Sequence, residues 1–159
     1  MLFRSAVSGK PECDEYLRAL GAKQVLRRQE IDPGKRPMEA VRFAGGIDNV
    51  GGDLLAWLTR TVDFFGNIAS IGLAGSHKLE TTVMPFILRG INLLGITSSS
   101  TPRELRLAVW QRLSSDLKPR HFDRWVTRTI AFDELPASFA AYLKGGVIGQ
   151  IGRAPSELQ

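Results

Sequence analysis

The sequence is poor in the residues that build cross-links and metal centres. Cys13 is its single cysteine, so the chain holds no disulfide framework and no cysteine-based zinc cluster. His77 and His121 are its only histidines, and their wide separation gives no metal-ligand spacing. No apolar run approaches the ~20 residues that a membrane-spanning helix needs. The opening Met1-Leu2-Phe3-Arg4-Ser5 is too short and too polar for a secretory signal. A reducing cytoplasm is therefore the expected compartment.

Candidates for catalysis are also scarce. Asp48, Asp53, Asp116 and Asp123 show no spacing suited to paired acid–base work. Ser76 and His77 are adjacent, which is the wrong relation for a nucleophile and its base. Cys13, beside a helix start, is placed where the helix dipole would activate a thiol, but it reads first as an ordinary exposed thiol. No catalytic residue and no metal ligand is expected within the chain.

What is present fits a single domain of 159 residues, a length that buries about 68–70% of the unfolded surface. Hydrophobic residues at 43% and charged residues at 23% are ordinary for a globular protein. The net charge of +5 admits nucleic acid, an anionic membrane or an anionic small molecule as partner. The arginines are spread rather than clustered, which disfavours nucleic acid and makes most of them solvated surface.

Strand and helix signals alternate, predicting an α/β layer fold with parallel strands. A short strand at Ala6-Val7 ends in Ser8-Gly9-Lys10, and a helix from about Glu12 to Leu20 carries Tyr16, Leu17 and Leu20 on one face. Gln24-Val25-Leu26 reads as a second strand and Phe43 to Val50 as a third, closed by Gly51-Gly52. Asp53 is expected to cap a helix with the stripe Leu54, Leu55, Leu58 and Val62. Strands follow at Gly66–Ile71 and Ile91–Ile96. Thr101-Pro102-Arg103-Glu104 signals a helix whose Leu105, Val109, Leu113 and Leu117 form a core-facing stripe. Trp125 to Phe132 reads as a further strand, and a last helix runs from Asp133 to about Leu143, ended by Gly145-Gly146. No repeat, low-complexity tract or internal domain boundary interrupts this order.

The most informative stretch is Gly72-Leu73-Ala74-Gly75-Ser76 followed by Thr81-Thr82-Val83-Met84-Pro85-Phe86-Ile87-Leu88-Arg89. Small residues after a strand let backbone approach a ligand closely, and open α/β sheets bind ligands at that edge. The string resembles the acryloyl-CoA reductase group of the medium-chain dehydrogenase/reductase superfamily, also called quinone-oxidoreductase-like proteins. The resemblance covers about Val7 to Gly149 and implies a Rossmann-like, doubly wound parallel sheet. The expected sheet is incomplete: no glycine-rich turn precedes Ala6, and Gly9 is the only glycine in the first 20 residues. The resemblance thus reads the chain as the later part of a longer reductase, without the first strand of its cofactor domain. Residues 1–5 and 151–159 do not match, and Gln150 to Pro155 departs from the apolar strand by which the family's chain returns.

The resemblance implies NADPH as cofactor, no zinc, and hydride transfer to an activated C=C bond of an acryloyl-CoA-type substrate. A quinone or enal reductase of the same superfamily, or a truncated nucleotide-binding or interaction domain, are the alternatives. Ser8, Gly9 and Lys10 match the family's contact to the adenosine phosphate; their hydroxyl and cation suit a 2′-phosphate, although the turn alone could be merely polar. Arg28 falls where the family places a second arginine, while the Arg27-Arg28 pair alone reads as surface. Leu73, with the Ala74-Gly75 turn, matches the family segment along the nicotinamide ribose side, and Ile87 matches a further cofactor contact, otherwise reading as core. Ser98 matches another contact, or else belongs to a polar loop. Gly145 stands where the family often has asparagine, leaving only backbone for contact. A homodimer paired through the strand after Ile91 is also implied.

Overall fold

A computed structural model describes residues 4–97, 99–148 and 150–153. Seven strands are described: β1 (Ser5–Ser8), β2 (Gln24–Arg27), β3 (Gly46–Asp48), β4 (Asn67–Ser70), β5 (Asn92–Gly95), β6 (Val126–Ile130) and β7 (Gln150–Arg153). Between them lie α1 (Asp14–Ala19), α2 (Gly52–Thr61), α3 (Met84–Arg89), α4 (Arg103–Ser114) and α5 (Leu135–Leu143). Every strand pairing is parallel, as the alternating pattern predicts.

The strands form three sets, β1-β2, β3-β4-β5 and β6-β7. Registers are continuous within the first two: Ser5 to Ser8 against Gln24 to Arg27, and Ile68 between Ile47's neighbour Gly46 and Leu93. No ladder joins β1 to β3 among the described residues.

The core sits between α2 and the β3-β4-β5 set. Leu55, Val62, Ile68 and Ile91 are its buried centre, with Phe43, Leu58, Leu79, Phe86 and Leu93 packed around them. Leu55 and Val62 come from the predicted α2 stripe, and Trp57 closes its other side edge-on to Phe43 at 5.5 Å. Full burial of side chains of this size contributes about 1.5–3 kcal/mol each. Arg89, itself buried, locks the ends of α2 and α3: its guanidinium donates to the carbonyls of Arg60 (2.8 Å), Val62 (3.2 Å) and Glu39.

Several local expectations need correction. Asp53 lies inside the first turn of α2; Gly51, with a positive φ of 71°, is the capping residue and supplies no side-chain cap. Helix α4 starts at Arg103 after Pro102, because the Thr101 hydroxyl bonds back to the Thr97 carbonyl instead of capping. Its stripe faces mostly solvent, Leu105, Val109 and Leu117 being exposed and Leu113 half-buried, and none of the helix residues is buried among the described elements. Cys13 is buried rather than exposed, held in a 3-10 turn at Pro11–Cys13. Gln150 to Arg153 does form a strand, paired with β6, despite its glycine and arginine. No helix among the described residues is long and apolar enough to cross a membrane.

Candidate functional site

The loops that follow β1, β2, β3 and β4 meet at one edge, the carboxyl ends of the parallel strands. Open parallel sheets bind ligands at such an edge, because strand ends and helix starts leave backbone groups free there. The turn after β1 is closed locally: the Ser8 hydroxyl accepts from the Lys10 amide at 3.0 Å. Gln29, just past β2, donates to the Gly9 carbonyl at 3.2 Å and fastens the two loops together. The Lys10 ammonium donates to the Val147 carbonyl at 2.9 Å, which brings the chain beyond Gly145 to the same turn.

The adjacent arginines divide their work. Arg27 is bidentate to Asp14, both bonds at 2.6 Å, and this carboxylate raises its guanidinium further above its ordinary value. Arg28 is exposed and belongs to none of the ion pairs among the described residues. It lines a cleft of about 340 Å³ with Gly51, Gly52, Gly75, Ser76 and Lys78. Asp53 and Glu80 line the same cleft, so its charge is mixed rather than purely basic.

Asp48 shapes the turn that carries Val50 and Gly51 into the cleft wall. This buried carboxylate accepts from the amides of Val50 (3.2 Å) and Gly51 (2.9 Å), folding the chain back into α2. The segment after β4 then zips onto that turn, with Ala74 donating to Asn49 and Gly75 and Ser76 donating to Val50. Glycine at 72 is needed for this approach: a Cβ there would lie 2.6 Å from the Asn49 carbonyl oxygen. The space opened by Gly72 is thus filled by the protein's own backbone.

Of the residues singled out from the sequence, Ser8, Gly9 and Lys10 lie in the turn after β1 and Arg28 follows β2 on the adjacent loop; Arg28 lines the cleft and the other three do not. Gly145 lies two residues before the Lys10 partner, with a φ of 65° and open space where a side chain would be. Leu73 and Ile87 are 67% and 72% exposed, so Ile87 is not a core residue. Ser98 lies outside the described residues. Sequence reasoning missed Asp48, Gln29 and Lys78. The signal for Asp48 is its position three residues before Gly51, the spacing of an aspartate-closed turn. No group of three or more potential metal ligands occurs among the described residues.

No protein-family profile matches the chain. The acrylyl-CoA reductase AcuI of Ruegeria pomeroyi is 41% identical over 148 residues, covering 92% of this chain and 44% of that protein. The Bacillus subtilis protein yhfP, crystallised with NAD bound, superposes with a TM-score of 0.90 at 36% identity, across 95% of this chain and 46% of the other. The Salmonella enterica yhdH oxidoreductase, in complex with NADP, gives 0.87 at 37% identity over 96% and 46%.

The parallel α/β fold is therefore the Rossmann-like nucleotide-binding fold of the medium-chain dehydrogenase/reductase superfamily. Within it the chain is a relative of the acryloyl-CoA reductase and quinone-oxidoreductase-like group. It spans about 44% of the length of the curated relatives it matches.

Proposed function

We propose that this chain is a single NADPH-binding domain, the cofactor part of an oxidoreductase that reduces an activated C=C bond of an acryloyl-CoA-type substrate. The observation that supports the reading is that the turn carrying Ser8 and Lys10 is fastened, through the Gln29–Gly9 hydrogen bond, to the adjacent loop that carries Arg28. The donor chemistry fits a 2′-phosphate. Lys10 spends one of three N–H groups on Val147 and keeps two, while Arg28 keeps its planar fork. The nicotinamide, when bound, supplies the hydride; the residues here bind and orient. In this reading Ser8, Gly9, Lys10 and Arg28 hold the adenosine-phosphate end, Leu73 and the Gly145 backbone lie toward the nicotinamide, and Ile87 is a further cofactor contact. The cleft of about 340 Å³ is at the small end for ligand sites, so it covers only part of a dinucleotide.

A quinone or enal acceptor is the second reading, favoured by the 37% identity to a Bacillus subtilis protein named as a quinone oxidoreductase. A homodimer is supported by β5, an outer strand whose Leu94 and the following Ile96 are 44% and 52% exposed. A cytoplasmic location is supported by the single cysteine.

Amide chemical-shift mapping with adenosine 2′,5′-bisphosphate tests the phosphate site. Shifts centred on Ser8, Gly9, Lys10 and Arg28 are expected. A response elsewhere, or the same response to adenosine 5′-monophosphate, contradicts the assignment.

A further inference from the structure

The turn after β1 and the loop after β2 meet through main-chain oxygens. A carbonyl carries partial negative charge, so an anion site works where N–H groups face the ligand and carbonyls do not. The turn's Gly9 and Lys10 carbonyls are both occupied from the end of β2. Arg27 donates through Nη1 to the Lys10 carbonyl at 3.5 Å, which also accepts the Cys13 amide at 3.1 Å and the Ser8 hydroxyl at 3.3 Å. Gln29 takes the Gly9 carbonyl at 3.2 Å. Arg28, between these two in sequence, lines the cleft. Asp14, the first residue of α1, accepts from both Nη1 and Nη2 of Arg27 at 2.6 Å. Their side chains are only 24% and 27% exposed, and two parallel bonds fix the plane of the guanidinium. One Nη1 hydrogen is then left for the Lys10 carbonyl.

We propose that Arg27, Gln29 and Asp14 are positioning residues for 2′-phosphate selectivity, a role that rests on the cofactor reading above. Arg27 and Gln29 cover the two carbonyls that would repel a phosphate, and Asp14 holds Arg27 to that task. None of the three touches the phosphate. Arg27 therefore acts by its aim rather than its charge, which Asp14 balances. With both carbonyls covered, the turn faces an anion with the Lys10 ammonium, while the adjacent loop offers Arg28.

Calorimetric titration of the whole chain with adenosine 2′,5′-bisphosphate and adenosine 5′-monophosphate tests the role through a sign. Asp14→Ala removes a carboxylate near the site, so charge alone tightens bisphosphate binding, whereas release of Arg27 weakens it. We expect bisphosphate binding about threefold to tenfold weaker in Asp14→Ala and in Gln29→Leu, with monophosphate binding unchanged. Arg27→Lys keeps the charge but cannot span Asp14 and the Lys10 carbonyl together, and should weaken the bisphosphate likewise. Gln29→Leu alters an exposed, uncharged side chain and so decides the matter even where Asp14→Ala fails to fold. A bisphosphate preference that survives in Gln29→Leu, or tightens in Asp14→Ala, overturns the positioning role and leaves the phosphate site standing. Equal loss of both nucleotides in these variants, a merely structural effect, also overturns it. No preference in the unmutated chain overturns both readings.

Discussion

Lys10 and Val147 are joined by a 2.9 Å hydrogen bond that spans nearly the whole sequence. It ties the turn after β1 to the chain following α5, and it fixes where the ammonium sits. Lys10→Glu should lower affinity for adenosine 2′,5′-bisphosphate while leaving adenosine 5′-monophosphate unchanged. A charge-assisted contact contributes about 1.5–3 kcal/mol, so a loss of roughly 10- to 150-fold is expected by titration.

Arg89 is buried with main-chain carbonyls as its acceptors. Replacing it by methionine removes the guanidinium donor from the carbonyls of Glu39 and Val62 and one of two donors from that of Arg60, which keeps the Glu39 amide. A loss of about 2–4 kcal/mol is expected, read as a lower urea midpoint with an unchanged slope. Arg89→Lys should recover only part, because an ammonium cannot reproduce the planar fork.

Gly51 combines φ 71° with ψ −162°, a conformation open essentially only to glycine. A Cβ there would also collide with the Ser76 carbonyl. Gly51→Ala should cost at least ~1–3 kcal/mol in urea unfolding. It should also weaken nucleotide binding, since Gly51 and Ser76 both line the Arg28 cleft.

The Asp116 carboxyl is held below its ordinary value by the Arg112 guanidinium, which bonds it at 2.8 and 3.2 Å. A depressed folded-state value means that the pair's stabilisation is present above the unfolded carboxylate range. It is lost as pH falls through the lowered value. Carbon-detected titration should place Asp116 below a free aspartate in the intact chain, and Arg112→Gln should raise it toward the ordinary value by removing the largest of the lowering contacts. Both side chains are exposed, so the effect on overall stability is small.

The parallel α/β order was legible because Leu55, Val62, Ile68 and Ile91 fall at helical and strand spacing and do form the core. Burial of α4 was not legible: its stripe is real, but periodicity cannot say whether a partner covers it. The glycines at 72 and 75 announced close backbone approach without saying to what, and Asn49 and Val50 proved to be the neighbours. Asp48 was read as a strand residue because its turn role depends on the two amides that follow it. Strand β7 was hidden by Gly152 and Arg153, where partnering with β6 overrides propensity. Ser8, Lys10 and Arg28 were legible through resemblance, yet only the structure separates the free Arg28 from the Asp14-bound Arg27.

The central claim is an NADPH-selective site at the strand edge, and calorimetric titration of the 159-residue chain with NADPH and NADH tests it most directly. Two or three phosphate contacts without the rest of the relatives' length should give an NADPH Kd on the order of 0.1–1 mM. NADH should bind at least tenfold more weakly, and acryloyl-CoA should cause no NADPH oxidation. Equal heats with the two cofactors, or micromolar binding together with substrate-dependent oxidation, would contradict the account.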